Sequence, residues 1–115
     1  MNNEIIRAFC LSLPAASEDL KWESNLCFCV GGKIFCMINT GVGFSICLKC
    51  TAEKFAELCE KDGISPAPYL ARNQWVLVEK VSALHGDEWK SLIRQSYDLI
   101  VNRLPKKRRV ELGLS

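Results

Sequence analysis

Seven cysteines in 115 residues are the first chemistry to weigh. Cys47-Leu48-Lys49-Cys50 is a CxxC, and a helix starting just behind it would lower a thiol pKa. That motif belongs with a parallel βαβ sheet, whereas its surroundings alternate as an antiparallel meander, so thiol redox is a minority reading. Alternation also sets Cys27, Cys29, Cys36 and Cys47 on one face of neighbouring strands, where thiolates are a zinc candidate. A flat face rarely brings four sulfurs within about 2.3 Å of one point. No metal and no cofactor are expected. An odd number of cysteines inside apolar stretches suits free thiols in a reducing compartment better than a secreted disulfide framework.

Acid–base and nucleophilic chemistry have little to build on. The single histidine, His85, stands beside Gly86-Asp87 at a helix entrance, where a capping or solvated role is the ordinary one. No Ser/His/Asp arrangement has supporting context. Gly41-Val42-Gly43 lacks the Lys-Ser/Thr of a phosphate loop, and Ser17-Glu18-Asp19 reads as a solvated turn. No catalytic residue is expected, and the chain is not expected to be an enzyme.

The basic residues carry more. Residues 1–62 hold six Lys/Arg against eight Asp/Glu, and residues 63–115 hold nine against five, so the net charge of +2 conceals a basic second half. Arg103, Lys106, Lys107, Arg108 and Arg109 fall within seven positions, and Arg72 lies close to Tyr69 and Trp75. Such a set can meet phosphates and stack on a base. The competing account is a core Trp75 and a solubilising tail. Pro105 to Val110 also matches a nuclear-import pattern, which is too common to decide anything.

The elements that must position these groups follow from periodicity. Asn2 or Asn3 caps a first helix carrying Ile5, Ile6, Phe9, Cys10 and Leu13, which Pro14 stops. A polar connection follows, with Trp22 as a lid on the core edge. Residues 26–49 then read as three antiparallel strands turned at Gly31-Gly32, with Phe28 opposite Phe35 and Cys27 opposite Cys36. One face collects Leu26, Phe28, Val30, Phe35, Met37, Ile46 and Leu48; the other collects Cys27, Cys29, Cys36, Cys47 and Lys49. Thr51 caps a second helix with Ala52, Phe55, Ala56 and Cys59 inward. Residues 66–70 and 74–79 are the fourth and fifth strands, joined by Ala71-Arg72-Asn73. The last helix carries Trp89, Leu92, Ile93, Tyr97, Ile100, Val101 and Leu104 at core spacing, and Pro105 ends it. A short basic tail, 105–115, frayed at its end, closes a single domain spanning 1–115. No apolar run approaches the roughly 20 residues of a membrane span, and no leader is evident, so a cytoplasmic protein is expected.

Several short stretches, taken in order, resemble the MmcQ/YjbR family of small bacterial proteins. They are Leu13-Pro14 with Glu18-Asp19, Val30-Gly31-Gly32-Lys33 with Phe35, and Leu48-Lys49-Cys50 before the Thr51 helix. Pro66 to Arg72 with Trp75, Ser96-Tyr97 and Leu104 to Lys107 complete the set. The resemblance implies an α+β fold, α-β(3)-α-β(2)-α. It has two layers, a five-stranded antiparallel sheet with helices packed on one face, similar to secretion chaperones and the frataxin-like (CyaY-like) group. It also implies a double-wing DNA-binding role, with Lys33, Lys49, Arg72 and Trp75 at matching positions and the Lys106–Arg109 tail extending the surface. The cysteine-rich outer face, Cys29 above all, departs from the basic or polar residues usual there.

Two functions follow as expectations. The first is a non-enzymatic domain that contacts DNA phosphates weakly through basic turns and tail. The second is a protein-interaction module, or homodimer, that uses the cysteine-lined face. No membrane partner is expected.

Overall fold

The computed structural model describes residues 1–115 apart from Trp22, Glu23, Val42, Tyr69, Ser115 and the side chain of Ala71. The readings placed on Trp22 and Tyr69 therefore lie outside the described residues. Helix α1 (Asn3–Ser12) leads into strands β1 (Ser17–Lys21), β2 (Asn25–Val30), β3 (Lys33–Asn39) and β4 (Ile46–Lys49). Then come α2 (Ala52–Leu58), β5 (Ile64–Pro66), β6 (Trp75–Val78), α3 (Gly86–Arg103) and α4 (Lys106–Glu111). All pairings are antiparallel, in the order β1-β2-β3-β4-β6-β5. The architecture is α+β as expected, but the sheet has six strands rather than five.

The additional strand is the polar connection. Ser17 to Lys21 pairs with Asn25 to Cys29 along an edge, and every residue but Lys21 is exposed. A charged, solvated edge strand shows no alternation to read, and its charges guard the edge against further pairing. Arg7 on α1 grips it: Nε and Nη2 donate to the two Glu18 carboxylate oxygens at 2.7 and 2.5 Å. At the other edge, β5 is Ile64 to Pro66, and Ala67, Pro68 and Leu70 are not strand.

The hairpin at Gly31-Gly32 forms, but its register slips. Phe28 faces Cys36 and Cys29 faces Ile34, so Phe35 is an extra residue in β3. That bulge turns both Phe35 and Cys36 into the core, each fully buried, and moves Met37 to the opposite face beside Cys27 and Cys47. The face assignments of Cys36 and Met37 are thus exchanged relative to simple alternation. One core cluster unites Ile6 and Cys10 of α1, Phe28, Cys36, Ile46, Leu48, Val76 and Val78 of the sheet, Leu58 of α2, and Trp89, Ile93 and Tyr97 of α3. In α2, Leu58 is the buried residue, while Ala52 and Ala56 are exposed.

A bulge opens a gap in the ladder, and α3 fills it. Ser96, fully buried in the α3 stripe, accepts from the Lys49 backbone N–H at 3.0 Å and donates to the Phe35 carbonyl at 2.5 Å. Next to it, the Tyr97 hydroxyl donates to the Pro14 carbonyl at 2.6 Å while its ring meets Phe35 edge-on. α3 is therefore pinned to β3, β4 and the α1 exit by adjacent residues.

The basic tail, to which the sequence reading gave no element, is ordered as a helix. Residues 106–111 form α4, and Leu104, Leu112 and Leu114 are buried or partly buried. The docking point is Gly31, at φ +59°: a Cβ there would lie 2.7 Å from Leu104 Cδ1 and 3.3 Å from Leu112 Cδ1. Gly31→Ala combines positive-φ strain with overpacking and is expected to cost about 1–3 kcal/mol. Urea denaturation reads this as a lower midpoint at unchanged slope, and Gly32→Ala, which meets nothing within 4 Å, isolates the φ contribution.

Candidate phosphate-binding end of the sheet

Antiparallel pairing gathers the predicted basic residues. The start of β3, the end of β4 and the start of β6 share one end of the sheet, which places Lys33, Lys49 and Trp75 there. Arg72 lies in the turn entering β6 and is exposed. α3 reaches the same end, closing with Arg103 just before Leu104 meets Gly31. α4 then adds Lys106, Lys107, Arg108 and Arg109 beside the hairpin turn. Residues from five separate stretches of chain thus meet at one end of the sheet.

Among the described residues, the ion pairs at or beside this end are Arg108–Glu111 at 3.4 Å, Arg7–Glu18 at 2.5 Å on the β1 edge and Arg94–Asp98 at 3.1 Å on α3, while Lys33, Arg72, Arg103, Lys106, Lys107 and Arg109 form none. The opposite end is the reverse, with Asp87 and Glu88 opening α3 and Lys80–Asp62 and Lys61–Glu88 paired at 2.6 and 3.4 Å. Arg103 suits the negative end of the α3 dipole. Lys106 and Lys107 do not suit theirs: they occupy the first turn of α4, which holds no acidic residue. A cluster that works against local electrostatics has a cost of a few tenths of a kcal/mol per charge, of the kind found where function sets the sequence.

The members differ in access. Lys33, Arg72, Arg103, Lys106, Lys107 and Arg108 are exposed. Arg109 is half-buried, its Nε enclosed without an acceptor. Lys49 is 3% exposed, with Nζ donating to the Asn73 carbonyl at 2.5 Å. Trp75, its cross-strand partner, is 8% exposed and stands outside the main core cluster, on the face opposite Val76. Its ring is not presented for stacking. Ser96, Asn73 and Arg109 Nε are the features that sequence reading assigned no role; a serine inside an apolar helical stripe was the available signal for the first.

The cysteines are set for inertness. Burial pushes Cys47 up to about 11; burial, and then Cys59, push Cys50 to about 11. The Cys50 Sγ also donates to the Gln74 carbonyl at 3.3 Å. Cys36 rises well above the ordinary thiol range, first through its hydrogen bond with Cys10 and then through burial. The helix start behind the CxxC therefore activates neither thiol. At pH 7 a group titrating near 11 is thiolate in only about one molecule in 10⁴. Disulfide-exchange labelling of Cys47 is expected to quicken about tenfold per pH unit from 7 to 10; fast labelling at pH 7 would contradict this environment. No group of three or more His, Cys, Asp or Glu able to hold a metal occurs among the described residues.

Comparison with known proteins agrees with this fold. The family model described as YjbR matches residues 11–99, most of the chain. The chain belongs to the YjbR family. The YjbR match spans the sheet, Lys33, Lys49, Arg72 and Trp75, and stops inside α3, leaving Arg103 and α4 beyond it. A similar solved structure is Deinococcus radiodurans protein DR2400, with a domain described as DUF419, at 26% identity and TM-score 0.84. It covers 97% of this chain and 88% of that one. A protein from Pseudomonas syringae shares the fold at 23% identity and TM-score 0.70, covering 86% and 98% respectively. No curated protein matches. Among the described residues, no helix is long and apolar enough to cross a membrane.

Proposed function

We propose that this YjbR-family chain is a non-enzymatic DNA-binding protein that contacts duplex phosphates through the basic end of its sheet. The observation that carries the reading is that Lys33, Arg72, Arg103, Lys106 and Lys107 stand at one end of the sheet, exposed and without an ion pair among the described residues. Exposed lysines and arginines without acidic partners neutralise phosphates and release counterions, a term that needs no base contacts. The buried Trp75 and Lys49 frame this surface from beneath. Adding a short duplex to ¹⁵N-labelled protein is expected to shift the amides of Lys33, Arg72, Arg103 and α4 and to leave the acidic end at Asp62 and Asp87 unmoved. Shifts confined to the other end, or none at low salt, would contradict the proposal.

The second reading is a homodimer through the open face. Cys27, Met37, Cys47 and Leu77 are successive cross-strand neighbours on that face, and none is charged. Cys27 is fully buried and its β1 neighbour is Asp19, so two copies stacking there would meet through the half-exposed Met37, Cys47 and Leu77 and leave the charged β1 edge outside the contact. A monomer mass at high micromolar concentration would exclude it.

A further inference from the structure

Lys49 poses a question of its own. A charge withdrawn from water ordinarily sits on a carboxylate, yet this 3%-exposed lysine has no ion pair among the described residues. Its ammonium offers three donors and one acceptor is recorded, the Asn73 carbonyl at 2.5 Å. Ser96, which holds the Lys49 backbone N–H, stands seven residues before Arg103. Seven residues are nearly two helical turns, so Arg103 lies on the same stripe of α3, further toward this end of the sheet. Burial, and then the positive charge of Arg103, lower the Lys49 pKa. Two neighbouring cations, one buried and both without a carboxylate, form an arrangement that an anion completes.

We propose that Lys49 and Arg103 form a seat for one phosphoryl group, with the Asn73 carbonyl holding the ammonium in place. This rests on the phosphate-binding reading of the basic end and adds a discrete site to a diffuse surface. The buried cross-strand partner Trp75 gives the seat an apolar flank, where charge-assisted hydrogen bonds are stronger than in water. The phosphoryl group belongs either to a nucleic-acid backbone or to a free phosphate or nucleotide.

The test titrates inorganic phosphate into isotope-labelled protein and follows the Lys49 side-chain carbons and the amides of Lys49, Asn73 and Arg103. Saturable shifts at these positions are expected, with Lys49 titrating at higher pH when phosphate is bound. Lys49→Met and Arg103→Gln should each weaken phosphate at least about tenfold, while Lys80→Gln, at the opposite end beside Asp62, leaves it unchanged. Arg103 is exposed, so its variant carries the test should Lys49→Met fail to fold. Duplex DNA added to the phosphate-loaded protein then separates the sources. Displacement assigns the seat to backbone phosphate, and simultaneous binding assigns it to a free phosphate or nucleotide; either supports the seat. Phosphate binding without any DNA binding upholds the seat and overturns the DNA reading alone. No shift at Lys49 at tens of millimolar phosphate, or equal affinity in Arg103→Gln, overturns the seat.

Discussion

Changing Lys106, Lys107, Arg108 and Arg109 together to glutamine is expected to flatten the log–log salt dependence of duplex-DNA affinity by about 3.6 and to weaken binding at low salt at least about a hundredfold. Each phosphate contact contributes about 0.9 to that slope, and α4 supplies four of the cations gathered at the basic end. The variant is a fair probe because α4 is held by Leu104 and Leu112 against Gly31 rather than by its charges. Glutamine is a good helix former, and removing two lysines from the first turn relieves an unfavourable dipole interaction. Stability should stay within about 1 kcal/mol of the parent, so lost binding would not reflect unfolding. An unchanged slope would remove α4 from the interface and leave Lys33, Arg72 and Arg103 to account for any binding.

Ser96→Ala is expected to destabilise the protein by about 2–4 kcal/mol. The hydroxyl satisfies two buried main-chain groups at once, the Lys49 N–H and the Phe35 carbonyl, and each group left unpaired costs about 1–3 kcal/mol. The fully buried position leaves little room for water to substitute. Ser91→Ala, on an exposed turn of the same helix, should stay within about 0.5 kcal/mol. Urea midpoints for the two variants make the comparison. Because Ser96 also fixes the backbone of Lys49, its loss should loosen the end of β4, seen as faster amide exchange at Lys49 and Cys50. Equal midpoints for the two variants would show that the gap beside the bulge is satisfied in another way.

Strong periodicity made some elements legible. The stripe from Trp89 to Leu104 reads as a helix and is one, and Gly31-Gly32 supplies the positive-φ turn that its composition promises. The charged edge strand was not legible, because Ser17 to Lys21 has no buried face to impose alternation. β5 was misplaced because three residues ending in proline give too little pattern beside the apolar Pro66–Leu70 run. The bulge at Phe35 was hidden for a deeper reason: one inserted residue exchanges two side chains between faces and leaves no mark on local composition. The docked tail depended on Gly31, some 70 positions earlier in sequence, accepting Leu104.

The site divides in the same way. The basic residues were legible as types, and the antiparallel order brings them together. Their access was not legible, since Lys49 and Trp75 are buried by the pairing that joins them. The cysteines show the converse: a redox motif by spacing, silenced by burial and by a hydrogen bond from Cys50 to Gln74 that spacing cannot reveal.

The most direct test of the phosphate reading is the affinity of the reduced protein for a labelled duplex at 50 and 200 mM salt. Engagement of six or more phosphates by the basic end predicts a loss of about a thousandfold or more between the two, with little dependence on base sequence. Affinity that is unchanged between the two conditions, or absent at the lower one, would contradict it.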